Sequence, residues 1–256
     1  MLLAIASEAN LKILTYNIHK GFSGMGARFV LHAIKDALRE IDADIIFLQE
    51  IHGEKNISGN RFDNWPTNSQ FEYLADSIWH HYAYGKNAIY RSGHHGNAIL
   101  SKHPFIEWEN IDVSLMQSAS RSLLHGTINV PDASQKLHVI CVHLGLFSME
   151  RDRQLSTLAK RIDSHVPHDE PLIIAGDFND WRGRAEHYLN DELGVSEVFK
   201  NLEGDHARTF PAWLPVLRMD RVYARGLEVI AGQRLHGQPW RQLSDHIPLL
   251  AEFDFK

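Results

Sequence analysis

Side chains that can bind metals or move protons follow the apolar segments of this sequence again and again. Six segments that read as strands end or begin with such groups: Asn17, Glu50, His143, Asp177 with Asn179, Asp220, and Asp245 with His246. Side chains at strand ends are held rigidly, and catalytic groups are commonly assembled there. We therefore expect these residues to meet at one edge of the sheets, around a single opening that we call the mouth.

These residue types suit the hydrolysis of a phosphoester. Carboxylate and amide oxygens bind Mg²⁺, which keeps several waters and needs only one or two protein carboxylates. A His–Asp pair such as His246 with Asp245 supplies a base for water, and a second imidazole with amides steadies charge on the phosphate. The sequence contains no HEXXH, no HXHXDH-like run and no GXXXXGK[ST] motif, so zincin, metallo-β-lactamase-like and P-loop chemistries have no support.

Taken singly, these residues also have structural interpretations. Asn17 and Asn179 fit ordinary turns, and Asp220 could pair with a neighbouring arginine at the surface. Glu50 could be a solvated carboxylate, and His143 a hydrogen-bonded core histidine. The functional interpretation rests on the whole set, because six strand ends rarely all carry such groups by chance.

Short apolar runs rich in β-branched residues predict the strands. They cover residues 12–18, 44–50, 87–90, 97–101, 123–130, 137–143, 172–177, 219–224 and 247–255. Amphipathic periodicity predicts helices over residues 30–41 and 155–166, with Ser148 as the N-cap of the second and Glu150 in its first turn. A weaker helix is predicted over 71–80. Because strands outnumber helices and often follow one another directly, we expect antiparallel or mixed sheets covered by helices.

Composition sets the class of protein. The 256 residues are 44% hydrophobic and 23% charged, which is typical of a globular chain and excludes disordered, collagen-like and coiled-coil proteins. The single Cys141 excludes an internal disulfide and multi-cysteine zinc sites. A net charge of −6 argues against a basic nucleic-acid arm.

The chain contains no linker-like segment, so we expect one domain over residues 12–256 after a short N-terminal extension, 1–11. No apolar stretch approaches the roughly 18–20 residues of a transmembrane helix, and the N-terminus lacks the pattern of a secretory signal. These features predict a cytoplasmic protein with no transmembrane segment, and nothing indicates an obligate protein partner.

Taken in order, the motifs LKILTYNIHKG, DADIIFLQE, GHHGNAILSKHP, VICVHLG, PLIIAGDFND, RMDRVYA and LSDHIP resemble the endonuclease/exonuclease/phosphatase (DNase I-like) superfamily. The resemblance covers about residues 12–255, and the chain is most similar to a bacterial branch of uncharacterised phosphodiesterase-like proteins, some encoded beside cardiolipin synthase. It implies an α/β fold, a four-layer sandwich of two mixed, mostly antiparallel sheets face to face, with helices outside and the site at one edge.

The resemblance also implies a Mg²⁺ cofactor, with Mn²⁺ as a substitute. Glu50 matches the family's principal metal ligand. Asn17 matches the amide beside the metal and the phosphate, and Asp245 lies near the metal. His19 departs from the pattern, because abasic-site endonucleases carry an aspartate there, and the roles of His19, His94 and His95 stay open.

The remaining roles concern water and phosphate. By resemblance, Asp177 orients or activates water and Asn179 binds a phosphate oxygen. His246, held by Asp220, is the base or a phosphate-polarising imidazole. His143 acts on the leaving group or the phosphate, and Arg121 matches a phosphate-contacting arginine.

The sequence therefore predicts a metal-dependent phosphodiesterase acting on a phospholipid-type or other small phosphodiester. A DNA or RNA nuclease of the same superfamily is the first alternative, and an inactive binding or scaffold domain is the second. Five arginines could approach the mouth, although a solvated or salt-bridged surface is their commoner role: Arg182, Arg184, Arg218, Arg221 and Arg225. Trp181 and the aromatic run 210–215 could form an apolar rim, but we expect buried structural aromatics.

Overall fold

The structure is a computed structural model that describes residues 10–24, 28–53, 65–90, 93–115, 120–131 and 133–256. The predicted extension over residues 1–11 falls mostly outside this range, and Leu11 already belongs to the first strand. Within the described ranges, no helix is long and apolar enough to cross a membrane.

Twelve strands in the described ranges form two six-stranded sheets. The first sheet consists of β1 (Leu11–Asn17), β2 (Ile45–His52), β3 (His81–Tyr90), β4 (Gly93–Ser101), β11 (Leu227–Arg234) and β12 (Leu249–Phe255). Its order is β11-β12-β1-β2-β4-β3. Only β1 and β2 run parallel, and the other neighbours are antiparallel.

The second sheet repeats this plan. It consists of β5 (Phe105–Asp112), β6 (Ser122–Ile128), β7 (Leu137–His143), β8 (Leu172–Asp177), β9 (Ser196–Glu197) and β10 (Asp220–Arg225). Its order is β5-β6-β7-β8-β10-β9, and only β7 and β8 run parallel. Each sheet therefore has one central parallel pair, which needs a crossover connection.

Successive residues of the central strands pack alternately into the core between the two sheets and into a core under the outer helices. Ile13 and Ile45 point into the core between the sheets, where they join Val139 and Ile173 of the second sheet. Their chain neighbours, such as Leu14, pack under the helices of the outer layer instead. Strands buried on both faces read as continuous apolar runs. The four-layer sandwich predicted from the sequence is thus confirmed.

Helices cover both outer faces. They are α1 (Leu31–Ile41), α2 (Gln70–Ala75), α3 (Ser148–His165), α4 (Ala185–Leu193), α5 (Val198–Glu203) and α6 (Trp240–Leu243). The prediction of Ser148 as an N-cap is wrong, because Phe147 occupies that position and no side chain caps the helix. Glu150 does lie in the first turn of α3, as predicted.

The third predicted helix differs at both ends. Ser69 and Glu72 form a capping box, so α2 begins at Gln70. It ends at Ala75 because Asp76 adopts a positive φ of 44°. Beyond it, the buried Trp79 donates its indole N–H to the carbonyl of Ala43 at 2.8 Å, which draws this segment onto the first sheet.

Pattern reading missed β5, β9 and β11, which are edge strands. β5 is largely exposed along its length, and β11 is exposed at five of its eight positions. An edge strand with one open face loses the apolar run that marks a central strand, and its charged side chains discourage pairing with other chains. The short helices α4, α5 and α6 were also missed.

Candidate functional site

The predicted site residues meet at one edge, around the carboxyl ends of the parallel strands. β1 ends at Asn17, and β7 and β8 end at His143 and Asp177, which are partners in register. Asp220 opens the antiparallel β10 directly opposite Asp177. β12 runs antiparallel to β1, so the loop before it brings His246 to the same edge.

The centre of the site is a buried group of two carboxylates and an imidazole. His246 Nδ1 lies 2.8 Å from Asp220 Oδ2, and its Nε2 lies 3.8 Å from Asp177 Oδ2. The ring of Phe210 packs against His246 with a centroid separation of 4.9 Å. Asp220 is therefore a buried partner of an imidazole, and the surface pairing with an arginine considered for it is wrong.

The charges in this group depend on one another. Burial alone would lower the pKa of His246, but the carboxylates of Asp220 and Asp177 raise it to about 10. Burial raises the pKa of Asp177 to about 7, with Asp220 adding to the rise and His246 opposing it. The geometry thus favours a cationic imidazole beside a carboxyl group that exchanges its proton near neutral pH.

Asp177 also has three polar neighbours besides His246. Its Oδ1 accepts a hydrogen bond from the backbone N–H of Asn179 at 2.9 Å, and its Oδ2 accepts one from Asn17 Nδ2 at 3.2 Å. His143 Nε2 lies 3.6 Å from the same oxygen. Burial, with a contribution from Arg121, lowers the pKa of His143 well below its usual value, so this imidazole is neutral.

Asn179 has a positive φ of 50° and donates its side-chain N–H to the carbonyl of Leu144 at 2.9 Å. An asparagine tolerates this left-handed conformation better than most residues. This hydrogen bond fixes the orientation of the buried Asn179 side chain beside Asp177.

Glu50 lies across the mouth, where β2 is interrupted. The register of β2 against β4 shifts between Leu48 and Ile51, and Glu50 takes a φ of 55° there. Burial alone would raise the pKa of Glu50, but His143, Lys20 and other neighbours lower it to about 2. Within the described part of the chain, Glu50 Oε2 accepts no hydrogen bond, and Lys20 Nζ lies 3.4 Å away. A bulged, strained backbone that aims a carboxylate is common beside active sites.

Pattern reading missed Lys20, although it directly follows the NIH segment that contains two of the residues considered. Its ammonium group lies 3.4 Å from Glu50 Oε2 and helps to lower the pKa of that carboxyl group. The sequence did contain a signal for Lys20, because this residue belongs to the LKILTYNIHKG motif, whose strand ends at the mouth.

Arg121 and His95 border the same mouth. Burial lowers the pKa of His95 to about 4, with further effects of Lys20, Glu50 and Arg121. His95 is buried and lies opposite His52 in the pairing of β4 with β2. His94 instead contacts the hydroxyl of Tyr84 through its Nδ1 at 2.8 Å.

Asp245 lies beside His19, with Asp245 Oδ1 3.8 Å from His19 Nδ1. The hydroxyl of Ser244 donates to the backbone carbonyl of Asn17 at 2.7 Å, which ties this loop to the end of β1. All nine predicted site residues thus surround one mouth, and His19 and Lys20 join them.

Four of the five arginines considered for the mouth have structural partners. Arg184 pairs with Asp152 at 2.9 Å, and Arg218 pairs with Asp205. Arg221 is fully buried and donates to the carbonyl of Asp180 at 2.8 Å. Arg225 lies at the far end of β10, where it donates to backbone carbonyls.

The aromatic residues beside the mouth are more exposed than expected. Trp181 is 39% exposed and Trp213 is 63% exposed, so the prediction of buried structural aromatics is wrong for both. Trp181 follows the Asp177–Asn179 segment and lies under the guanidinium of Arg151, 5.1 Å from the ring centroid. Arg151 in turn donates to the carbonyls of Gly145 and Leu146 just after β7.

A family model for the Endonuclease/Exonuclease/phosphatase family matches residues 14–246. The chain belongs to this family. The uncharacterized protein YbhP of Escherichia coli strain K12 is 45% identical over 245 residues, which cover 96% of each chain. The recognition made from the sequence motifs is thereby confirmed.

Solved structures of the Endonuclease/Exonuclease/phosphatase family share the fold. A member from Beutenbergia cavernae matches with a TM-score of 0.80 at 20% identity, covering 96% of this chain and 72% of that one. The D. rerio TDP2 structure complexed with single strand DNA product matches with a TM-score of 0.71 at 22% identity, covering 96% of this chain and all of the other (100%). At these identities, the likeness shows the fold alone.

Family members commonly use divalent metals, and two parts of this edge offer ligand atoms. Asp177, Asp220 and His246 each offer one atom, all within 4.8 Å of one another. However, the Nδ1 of His246 is already hydrogen bonded to Asp220. Glu50 fits an ion better, because its buried Oε2 accepts no hydrogen bond from any described residue and carboxylate oxygens are the ligands that Mg²⁺ prefers.

Proposed function

We propose that this chain is a divalent-metal-dependent phosphodiesterase. The observation that carries the proposal is the buried Asp220–His246–Asp177 group, which faces a carboxylate, Glu50, across one mouth. The hydrolysis of a phosphodiester requires a group that accepts a proton from water and a carboxylate that can hold a metal ion on the other side of the phosphate. Members of the family are usually hydrolytic enzymes, namely nucleases and phosphatases.

Glu50 and Asn17 would hold Mg²⁺ or Mn²⁺, with Asp245 nearby. When bound, the ion supplies positive charge that polarises the phosphoryl group. Asn17 has its Oδ1 in contact with the backbone N–H of His19 at 3.1 Å, and a second lone pair of this oxygen remains for a ligand.

Asp177 is the proton acceptor in this proposal. Its carboxyl group, with a pKa of about 7, takes a proton from the attacking water. The cationic His246, held by Asp220, polarises a phosphoryl oxygen, and Asn179 donates its amide hydrogen to another. The neutral His143 and the cationic Arg121 steady the charge that develops on the phosphate and on the leaving oxygen.

The first experiment is the hydrolysis of bis(p-nitrophenyl) phosphate with Mg²⁺, with Mn²⁺ and with EDTA. We expect turnover that EDTA abolishes and that His246→Ala reduces by orders of magnitude. His168→Ala is the matched control, because His168 is exposed in the turn before β8, at the opposite end of that strand from Asp177. Turnover that survives both EDTA and His246→Ala would refute the proposal, and a fully inactive wild type would favour a binding or scaffold domain.

For the substrate, we propose a phospholipid-type or other small diester. Large apolar side chains that follow β7 are exposed beside the mouth, with Leu146 at 57%, Phe147 at 67% and Met149 at 69%. Exposed apolar clusters mark surfaces that meet other apolar material. The net charge of −6 opposes the non-specific attraction that binding to a phosphate backbone needs.

A nuclease is the second candidate, because the exposed Trp181 and Trp213 could stack nucleobases.

The double variant Leu146→Ser/Phe147→Ser distinguishes the lipid substrate from the nucleic-acid substrate. If the substrate is a lipid, hydrolysis of a dispersed phospholipid should fall at least several-fold while bis(p-nitrophenyl) phosphate turnover is unchanged. Trp108→Ala is the control, since Trp108 is half exposed on the edge strand β5. Faster cleavage of single-stranded DNA than of any lipid would favour the nuclease.

A further inference from the structure

A cavity of about 350 Å³ adjoins the site on the side of Asp245. Its wall includes Arg28, Ala212, Trp213, Arg241, Ser244 and Asp245. This volume lies within the range of pockets that bind small ligands. The roles assigned above involve Asp245 and Trp213 of this wall but neither of its two arginines.

The cavity shares its wall with the site. Ser244 hydrogen bonds to the carbonyl of Asn17 at 2.7 Å, and its hydroxyl accepts from the backbone N–H of His246 at 3.3 Å. Ala212, which also lines the cavity, donates its N–H to the carbonyl of Asp245 at 2.7 Å. The segment 244–246 therefore belongs to both, with Ser244 and Asp245 in the wall of the cavity and His246 in the site.

Two guanidinium groups border the cavity. Arg241 Nη2 donates to the carbonyl of Trp213 at 2.9 Å, which holds the side chain in place and leaves its other N–H groups for a ligand. Within the ranges that the structure describes, neither Arg28 nor Arg241 forms an ion pair. By contrast, Arg184 and Arg218 are paired with aspartates.

Asp245 is the one carboxylate among the described residues of the wall, and it faces His19 of the site. Asp245 Oδ1 lies 3.3 Å from Ser244 Oγ, whose hydrogen is donated to Asn17, and 3.8 Å from His19 Nδ1. The cavity thus carries two cations against one carboxylate that is directed towards the site. Trp213 and Ala212 supply an apolar surface beside these charges.

We propose that this cavity binds a second phosphoryl group of the substrate, held by Arg28 and Arg241 with Trp213 packed against the carbon skeleton between the two phosphates. The proposal rests on the proposed function, because it assumes that the scissile phosphate of the same substrate lies between Asp177 and Glu50. Two guanidinium groups match a phosphate monoester, which carries a charge of about −1.5 to −2 at neutral pH, and arginine binds phosphate through paired hydrogen bonds. Arg28 and Arg241 are thus specificity-determining residues.

Binding is tested first, by calorimetry in EDTA, where no hydrolysis is expected. The probes are the p-nitrophenyl diester of thymidine 5′-phosphate with and without a 3′-phosphate, and the p-nitrophenyl diester of glycerol phosphate with and without a phosphate on a second hydroxyl. The wild type should bind the phosphorylated member of a pair more tightly, on the order of tenfold or more. Arg28→Gln/Arg241→Gln should remove this preference.

The matched control is Arg39→Gln/Arg153→Gln, which removes two positive charges from α1 and α3, outside the cavity. It should keep the preference. A wild type that binds both members of each pair equally would overturn the proposal, as would an equal loss in the control variant. A preference confined to the thymidine pair or to the glycerol pair would support the phosphoryl site and identify a nucleotide or a lipid headgroup as the source.

Hydrolysis separates this proposal from the proposed function. With Mg²⁺, the cavity variant should hydrolyse bis(p-nitrophenyl) phosphate like the wild type, because that substrate has no second anionic group. It should lose the advantage in kcat/KM that the second phosphate gives. An arginine-dependent binding preference in a protein that hydrolyses nothing would refute the phosphodiesterase and leave the phosphoryl site standing.

Discussion

Asp177 is the residue on which the buried polar network converges. Its carboxylate contacts the side chain of Asn17 and the backbone of Asn179, and it faces the imidazoles of His143 and His246. A carboxyl group so enclosed is costly to ionise, and burial accordingly raises its pKa. The same enclosure holds the carboxyl group in a fixed position for proton transfer.

Asp177→Asn should lower kcat on bis(p-nitrophenyl) phosphate by about 10² to 10³-fold, because it removes a positioned proton acceptor. Folding should persist, since the amide keeps the shape and neutralises a buried charge. The measurements are kcat and the free energy of unfolding. Asp163→Asn, at an exposed position on α3, is the control. A variant with full activity would remove Asp177 from the reaction.

Glu50→Gln should weaken metal activation specifically. The neutral amide offers an ion one weaker oxygen, so the Mg²⁺ concentration for half-maximal activity should rise on the order of tenfold or more. A metal titration of activity checks this, with Glu107→Gln on the exposed strand β5 as control. An unchanged titration would show that Glu50 is not a ligand.

At the scale of elements, β8 depends on a glycine next to Asp177. Gly176 has a φ of 146°, and a Cβ there would lie 2.0 Å from the carbonyl oxygen of Val142 on the paired strand β7. No side chain fits at that distance. The close approach of β7 and β8 therefore sets the positions of His143 and Asp177 at their ends.

Gly176→Ala should destabilise the protein by about 3 kcal/mol or more, because the methyl group forces the two strands apart. Gly194→Ala is the matched control. Gly194 also has a positive φ, 64°, but nothing lies within 4 Å of its Cβ position, so only the backbone cost of about 1 kcal/mol applies. Urea unfolding of both variants measures the difference. Equal losses would show that the contact with Val142 is relaxed easily.

The elements that sequence patterns predicted well are those buried on both faces. β1, β2, β7 and β8 each read as apolar runs because two cores demand apolar side chains on alternate positions. The edge strands β5 and β11 gave no such signal, since solvent covers one face. Helix ends were also poorly predicted: Ser148 has the right residue type for a cap, but the chain enters α3 one residue earlier.

At the scale of the whole molecule, buried histidines couple stability to pH. Arg161 donates to His125 Nδ1 at 3.1 Å, and the chain continues through His125 Nε2 to His138 Nδ1 at 3.0 Å and on to Glu170 at 2.5 Å. Because Nδ1 of His125 accepts a hydrogen bond from Arg161, this nitrogen cannot carry the second proton that would make the imidazole cationic. Burial and Arg161 accordingly lower the pKa of His125 to about 3.

The sign of the pH effect follows from this lowered pKa. Between about pH 6.5 and 3, the unfolded chain binds a proton at His125 that the folded protein does not, so stability present above pH 6.5 is lost as the pH falls. From pH 7 to 5, His125 alone should cost about 2 kcal/mol. Asp177 acts in the opposite direction, because its raised pKa favours the folded state as the pH falls below about 7.

The contribution of His125 is therefore measured as a difference. Urea unfolding at pH 7, 6 and 5 should give a shallower loss of stability in His125→Gln than in the wild type. His168→Gln, at an exposed position, should keep the wild-type dependence. Parallel profiles for the wild type and His125→Gln would contradict the prediction.

The sequence by itself determined the family, the layered fold and the nine residues at the mouth, because both the apolar strands and the polar groups at their ends are local features of the chain. The tertiary structure decided what those residues do to one another. Only the antiparallel pairing of β8 with β10 brings Asp220 opposite Asp177, and only the return of β12 along β1 delivers His246 to them. The exposure of Trp213 and the cavity beside Asp245 were likewise decided by packing between segments far apart in the chain. Burial, charge coupling and cavities arise between such segments, so no local pattern encodes them.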